Sequence, residues 1–285
     1  MSDVSLQIAG NKAVSSLGRH IAKLDEFAHD YANSSVDVGA VVKMPVLSSS
    51  AALFDASTNN YENGGSATEA AITVSAQYLA GFGVTPQQWS DGLGAFNGLF
   101  EQMGENAGRA VARSVEDAVV GQVKAGSTTK AASIAQTKTG FTSLYKECIE
   151  NNLDPENCIL VLNPTAYSKM LDTINGTIVN MQSAIETGYI DNFLGFKRVL
   201  CSKSVDAGYI GFIAEYGAIG IVGRKIPLLD NYPIYGEFVD ANTGIPMTLL
   251  GHQRLSDGKW FINATALFGT NIVDPDGLVL LSANA

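Results

Sequence analysis

The spacing of apolar residues changes near residue 85, and the change marks a change of structure. Within residues 38–84, the run 72–78 alternates between apolar and polar side chains, which is the period of a half-buried strand. The clearest alternating positions are Ile72, Val74, Ala76 and Tyr78. From Thr85 to about Lys124 the apolar residues recur at helical spacing, and this pattern predicts one long amphipathic helix.

Residues 38–84 are predicted to form a long β-hairpin with a polar tip. The tip, Ser48 to Ser66, is rich in serine, asparagine and glycine and is too polar to build a core. A hairpin without a partner sheet is marginal in water, and its open edges invite pairing with another chain. The pattern therefore favours a structural subunit that completes itself against neighbouring copies.

The start of the long helix carries several capping signals. Thr85 stands at the N-cap, Pro86 at the first helical position and Gln88 at the capping-box position, while Val84 and Trp89 are spaced for a hydrophobic staple. Further along the same helix, glycines between positions 92 and 98 favour a kink.

Two more glycines of the long helix, Gly104 and Gly108, stand four positions apart. They lie on one face at this spacing, so we expect them to permit the close approach of another backbone.

The first 37 residues form a polar arm that contains one apolar stripe. Its members, at helical spacing, are Val14, Leu17, Ile21, Leu24 and Phe27. We expect a short amphipathic helix that is buried either on its own chain or on a neighbour.

After residue 130 the pattern becomes mixed, first α/β and then strands and turns. One helix is expected to carry Phe141, Leu144, Tyr145, Cys148 and Ile149, and a second to begin at Asn163-Pro164. Strands are expected at Cys158–Leu162, Phe193–Ser202, Tyr209–Val222, Met247–Arg254, Trp260–Phe268 and within Ile272–Leu281. Asp257-Gly258 between two of these runs signals a hairpin turn.

Composition narrows the class of protein. Only 16% of the 285 residues are charged, against 46% apolar, which leaves more surface that partners can cover without burying ions. The net charge of -10 argues against tight binding of a phosphate backbone. The N-terminus predicts no signal peptide, and we expect no membrane span.

Three cysteines are present, and their spacing fits no zinc or redox motif. We expect Cys148 to be a reduced, buried thiol, as suits a reducing cytoplasm.

We find no motif for catalysis, for a cofactor or for a metal. None of the three histidines (His20, His29 and His252) has a cysteine or a carboxylate at the spacing that metal ligands require. The glycines of 217–223 lack the spacing of a dinucleotide fingerprint and indicate a close-packed strand instead. The chain is therefore expected to have no catalytic, cofactor-binding or metal-binding residue.

Two arginines of the long helix are candidate contact residues. Arg109 and Arg113 stand four positions apart, with the acidic residues Glu105, Glu116 and Asp117 nearby. One interpretation is a solvated helix face with local ion pairs, and the other is salt bridges between subunits.

The order of these parts resembles a tailed-bacteriophage major capsid protein of the Hong Kong 97 fold. The segment Ala71–Thr85 looks like the second arm of that family's extended loop as it enters the spine helix. Cys158–Tyr167 resembles a strand, Asn-Pro turn and helix of its axial domain, and Leu194–Val199 resembles a strand there.

The resemblance implies an α+β capsid fold divided into an arm, an extended loop and two domains. The implied segments are the N-terminal arm 1–37, the extended loop 38–84, the peripheral domain 85–125 with 226–285 (including the spine helix), and the α/β axial domain 126–225. Hexamers and pentamers would then close into an icosahedral shell around packaged double-stranded DNA.

The same resemblance implies the partners. Leu53, Phe54 and Tyr61 at the hairpin tip would anchor it on an adjacent subunit. A separate scaffolding protein, a portal and decoration proteins would be partners, DNA would be touched only non-specifically, and no membrane would be bound. The protein would be made in the host bacterial cytoplasm and reside in the virion.

Some relatives cross-link neighbouring subunits through a loop lysine. The hairpin carries only Lys43, near its base, so no such bond is expected.

The alternative interpretations of the chain are an encapsulin-like compartment shell, a surface-layer or adhesin protein, and an acidic enzyme.

Overall fold

The computed structural model describes residues 3–21, 24, 26–30, 41–47, 67–74, 76–87, 96–125, 131–174, 190–205, 208–224, 226, 234–239 and 246–283. Its helices are α1 (Asp3–Ile21), α2 (Phe96–Ala125), α3 (Lys138–Glu150) and α4 (Pro164–Ile174). Its strands are β1 (Ala28–Asp30), β2 (Val41–Leu47), β3 (Ala67–Thr73), β4 (Ala76–Val84), β5 (Ala131–Ile134), β6 (Cys158–Leu162), β7 (Ile190–Phe193), β8 (Phe196–Cys201), β9 (Tyr209–Glu215), β10 (Ile219–Arg224), β11 (Ile234–Val239), β12 (Pro246–Gln253), β13 (Trp260–Ile272) and β14 (Leu278–Ala283).

One sheet, sheet I, is organised around the long strand β13. Among the described residues its order is β1-β10-β13-β12-β11, and β4 also pairs with β13. β4 runs antiparallel along β13, from Trp260 opposite Val84 to Phe268 opposite Ala76. The strand that leads into the long helix is therefore held inside a sheet.

A second sheet, sheet II, has the order β5-β14-β9-β6-β8-β7 in the part of the chain that is described. β14 lies between β5 and β9, parallel to the first and antiparallel to the second. All five residues of β6 are buried. Strands covered on both faces read as continuous apolar runs, which explains why Cys158–Leu162 shows no alternation.

The predicted hairpin is present, but its return arm changes partner. β2 and β3 form an antiparallel ribbon, with Val41 opposite Thr73 and Leu47 opposite Ala67. The next strand, β4, leaves the ribbon and joins sheet I. The hairpin is thus a ribbon whose base continues into the body of the protein.

Helices cover both faces of sheet II. Buried residues of α1, α2, sheet I and sheet II share one core, represented by Leu17, Val115, Ala266 and Phe212. A second core lies between the opposite face of sheet II and the pair α3 and α4. β6 serves both cores, since Ile159 faces the first and Leu160 the second.

Two local predictions need correction. The apolar run 209–222 was expected to be one strand, but a turn at residues 216–218 divides it into β9 and β10, which belong to different sheets. Gly217 has a φ of +91°, a backbone conformation that favours glycine. The helix predicted for the N-terminal arm is also shorter than its apolar stripe. α1 ends at Ile21, and the last two residues of the stripe, Leu24 and Phe27, are buried in the turn that follows.

Two strands pair across the boundary expected between segments 126–225 and 226–285. β10, from segment 126–225, pairs with β13 in sheet I. β14, from segment 226–285, pairs with β5 and β9 in sheet II. The division into an axial and a peripheral domain stays a prediction.

Candidate functional site

The N-terminal helix α1 lies almost in backbone contact with the long helix α2. A Cβ atom added at Gly104 would stand 2.2 Å from the carbonyl oxygen of Ala9, and one at Gly108 would stand 2.1 Å from that of Ala13. Two glycines one turn apart therefore face two fully buried alanines one turn apart. The close backbone approach predicted from the glycine spacing is confirmed, and the partner is the chain's own first helix.

The segment that follows α1 is tied to the body by side-chain contacts. The carboxylate of Glu26 binds the guanidinium of Arg198 and lies 3.8 Å from Nζ of Lys197. Nδ1 of His29 lies 2.7 Å from the hydroxyl oxygen of Tyr216. Glu26 and Arg198 are each only 24% exposed, so their attraction is screened less than that of an open surface pair. These contacts hold the end of the arm on its own subunit.

The base of the hairpin is fixed to sheet I. Ile72 and Val74 are buried in a small core together with Val222, Leu267 and Val273. The amide of Asn271 donates a hydrogen bond of 2.8 Å to the carbonyl of Ala71. A Cβ at Gly269 would stand 2.5 Å from the carbonyl oxygen of Thr73, so the ribbon and β13 are in close contact.

The three tip residues predicted from the resemblance, Leu53, Phe54 and Tyr61, lie outside the described residues. Their role therefore stays a prediction. Nearer the base, Lys43 forms an ion pair of 2.9 Å with Glu69, and both side chains are 66% exposed. Such an exposed pair contributes little to stability.

The two candidate arginines of the long helix differ in their surroundings. Arg109 donates to Glu105 at 2.9 Å, an i, i+4 pair within α2. Arg113 is exposed and makes no ion pair within the described part of the chain. Neither observation tests a contact between subunits. Within the described residues, the guanidinium of Arg109 has a carboxylate partner and that of Arg113 has none.

A polar contact that the sequence did not indicate joins the long helix to sheet II. The hydroxyl of Ser202, just after β8, donates to the carboxylate of Glu116 on α2. Sequence reasoning placed Glu116 beside the neighbouring arginines, whereas its partner is 86 positions away. No local spacing signals such a contact.

A cleft of about 110 Å³ lies between α2, the hairpin base and β13. The residues that line it are Thr73, Ala76, Val115, Ala118, Val119, Gln122, Ile221, Phe268, Gly269 and Thr270. The Oγ1 atom of Thr270 is buried without a hydrogen-bond partner. None of these described lining residues is titratable, so none of them can act as a general acid or base.

No group of three or more histidine, cysteine or acidic side chains is placed to hold a metal ion within the described residues. Cys148 and Cys158 are buried, with their sulfur atoms 3.8 Å apart, while Cys201 is exposed. The pKa of Cys158 is raised, mainly by its contact with the Cys148 thiol and secondly by burial. The Cys158 thiol is therefore protonated at neutral pH.

None of the described helices combines the length and the apolar character that crossing a membrane requires.

Comparison with solved structures identifies the fold. No protein-family model matches the sequence, and neither does any curated protein. The capsid of the cyanophage P-SCSP1u superimposes with a TM-score of 0.60 at 16% identity, over 92% of this chain and 88% of that one. The virus-like particle of Pyrococcus furiosus gives 0.59 at 14% identity, over 95% and 98%. A native GTA particle capsid gives 0.58 at 13% identity, over 93% and 90%.

At these identities the likeness establishes the fold. The chain has the mixed α and β fold of phage major capsid proteins, consistent with the Hong Kong 97 fold that the order of its parts resembled.

Proposed function

We propose that this chain is the structural subunit of an icosahedral viral capsid, assembling as hexamers and pentamers around double-stranded DNA. The observation that carries the proposal is the match to capsid proteins over nearly the full length of both chains, 92% and 88% for the cyanophage capsid. A shared core motif alone would match a much smaller share of both chains. The subunit resides in the virion after synthesis in the host bacterial cytoplasm.

The segments keep the roles that the resemblance implies. Residues 1–37 are the arm, 38–84 the extended loop, 85–125 with 226–285 the peripheral domain, and 126–225 the axial domain. The arm helix and the ribbon base are held on their own subunit by the glycine contacts of α2 and by the Asn271 hydrogen bond. Such anchoring supports a loop that reaches a neighbour from a fixed base.

The contacts between subunits are many and individually weak. Leu53, Phe54 and Tyr61 anchor the loop tip on an adjacent subunit, and Arg109 and Arg113 form salt bridges across the interface. Arg113 is the stronger candidate because its guanidinium has no ion pair within the described residues. Contacts that engage together sum through multivalency, which gives a stable shell while each separate contact stays reversible.

The other partners follow from the same role. They are a separate scaffolding protein, a portal and decoration proteins. Contact with the packaged DNA is non-specific, as suits a chain with a net charge of -10.

A second candidate is a closed shell that is not a virion, such as an encapsulin-like compartment. The likeness to the virus-like particle of Pyrococcus furiosus, which covers 95% of this chain, supports it. The contents of purified particles separate the two functions: nuclease-protected DNA indicates a virion, and protein cargo indicates a compartment.

The deciding experiment is electron microscopy of the purified chain, expressed alone and together with the products of its neighbouring genes. We expect closed isometric shells. A chain that stays small under both conditions refutes the shell function.

Deletion of residues 50–66 then tests the loop. We expect it to abolish shells while circular dichroism shows that the chain remains folded. Substituting Leu53, Phe54 and Tyr61 together by serine should act in the same way, whereas Asn59 and Asn60 to serine is the matched control within the same tip. Normal shells from the deletion would refute the proposed role of the loop.

A further inference from the structure

The turn between β12 and β13 presents an unusually exposed apolar side chain. Leu255 is 95% exposed, more than any other large apolar residue that the structure describes as exposed. Single exposed leucines are common on protein surfaces and need no explanation by themselves. The backbone that carries this one, however, is fixed by a dense set of contacts.

A bidentate ion pair closes the turn. Nε of Arg254 donates to Oδ1 of Asp257 at 2.9 Å, and Nη2 donates to Oδ2. Oδ1 of Asp257 also accepts the backbone N–H of Lys259 at 3.3 Å. Bidentate arginine–carboxylate pairs fix geometry as well as adding energy. The side chains on both sides of Leu255 therefore hold one conformation.

The backbone of the same turn is closed twice. The N–H of Arg254 donates to the carbonyl of Lys259, and the N–H of Gly258 donates to the carbonyl of Arg254, both at 2.9 Å. Gly258 has a φ of +70°, which suits glycine. A turn that is already ordered loses little conformational entropy when a partner covers it.

Other apolar and arginine groups surround the turn. The guanidinium of Arg254 lies 4.9 Å above the ring of Phe261, and His252 stacks on that ring with centroids 5.5 Å apart. Trp260 is partly exposed and Pro86 is exposed next to Gly258. Tryptophan, other aromatic residues and arginine are enriched at the centres of protein interfaces.

The charge of the turn favours a second copy of this chain as its partner. The turn contains two positive side chains, Arg254 and Lys259, and one negative side chain, Asp257, so its net charge is +1. The whole chain has a net charge of -10. A turn with a net positive charge is attracted to another copy, whose total charge is negative. One excess positive charge is too little to attract a nucleic acid.

We propose that the β12–β13 turn inserts Leu255 into an apolar surface of a second copy of this chain within the assembled shell, and this rests on the proposed shell function. The tip of one subunit then meets a different surface of the next, so the contact is heterologous. Repetition of such a contact closes rings when the rotation allows it.

Site-specific photo-crosslinking tests the contact directly. A photoreactive amino acid at position 255 is irradiated in assembled particles and, separately, in unassembled chain. We expect a crosslinked species of twice the chain mass in particles, with its partner site mapped to one apolar surface, and much less of it in unassembled chain. Particles in which the probe captures no neighbour, or captures a different protein, overturn the proposal.

Assembly measurements give the second test. Leu255→Ser should raise the subunit concentration needed for half-assembly by roughly tenfold, the effect of losing one buried leucine, while Leu255→Met should stay within a few-fold. Leu79→Ser is the matched control, because Leu79 is also an exposed leucine, at 58%. Equal effects of the two serine substitutions would overturn the proposal.

The ion pair can be tested separately. Asp257→Asn breaks the bidentate pair without touching Leu255, and it should weaken assembly in the same direction. All these positions are exposed, so thermal melts of the unassembled variants should match the wild type and exclude misfolding. If the wild-type chain forms no particles, the shell function itself fails. Wild-type particles without the crosslink refute this contact alone.

Discussion

Replacing Gly108 with alanine should push helices α1 and α2 apart. The added Cβ would lie 2.1 Å from the carbonyl oxygen of Ala13, and that distance would have to reach the 3.4 Å of ordinary van der Waals contact. The obstacle is backbone, so no side-chain rotation relieves it. The separation would loosen a shared core in which Leu17, Val111 and Val115 are at most 1% exposed.

The expected net effect is a loss of stability. Overpacking of a core costs about 1–3 kcal/mol, and a backbone obstacle argues for the upper end. Alanine recovers about 1 kcal/mol of helix propensity relative to glycine. The free energy of unfolding should therefore fall by about 2 kcal/mol, which corresponds to a decrease in Tm of about 3–4 °C for a chain of 285 residues.

Gly121→Ala is the matched control on the same helix. Gly121 is exposed, and an added Cβ would meet nothing within 4 Å, so this variant should gain about 1 kcal/mol. Urea unfolding followed by circular dichroism measures both. The Gly104→Ala/Gly108→Ala double variant should lose less than the sum of the single losses, since one separation of the helices relieves both clashes. Equal stabilisation by Gly108→Ala and Gly121→Ala would refute the close-contact argument.

Three further predictions rest on single contacts. Asn163 caps α4 through its Oδ1 at 2.7 Å and donates to β9 at 2.6 Å, so Asn163→Ala should lower the free energy of unfolding by about 2–3 kcal/mol in urea melts. Thiol labelling of the unassembled chain should modify Cys201 rapidly and the two buried cysteines only after unfolding; fast labelling of all three would contradict the described burial. The hydrogen bond from Arg254 lowers the pKa of the Asp257 carboxyl below its ordinary value of 3.8. The Arg254–Asp257 pair should therefore contribute to stability at every pH above 3.8 and lose this contribution only as the pH falls through the lowered pKa of Asp257. NMR titration of the Asp257 carboxyl carbon measures that pKa.

Local structure could be predicted wherever one face of an element meets one core. The end of the long helix was expected at about Lys124 and lies at Ala125. The Asn163-Pro164 start of α4 followed from capping chemistry. The start of the long helix is only partly tested, because Pro86 and Gln87 are helical while Gln88, Trp89 and the glycines of 92–95 lie outside the described residues.

Long-range pairing could not be predicted, because no local pattern encodes it. The run 209–222 is apolar on both sides of its turn, and its short interruption at Glu215 to Gly217 does not indicate that β9 and β10 belong to different sheets. β5 and β1 are short and were not predicted at all. The Glu116–Ser202 contact joins positions 86 apart, and only the assembled fold brings them together.

The position of β14 between β5 and β9 in sheet II sets an order for biosynthesis. β5, β6, β8 and β9 emerge from the ribosome first, but among the described strands β5 pairs only with β14. The edge of β9 that β14 will occupy also stays open until residues 278–283 have been translated. Open strand edges are sites of aggregation and wrong pairing in incomplete chains. A nascent chain therefore cannot present a finished sheet II until its last strand has been translated.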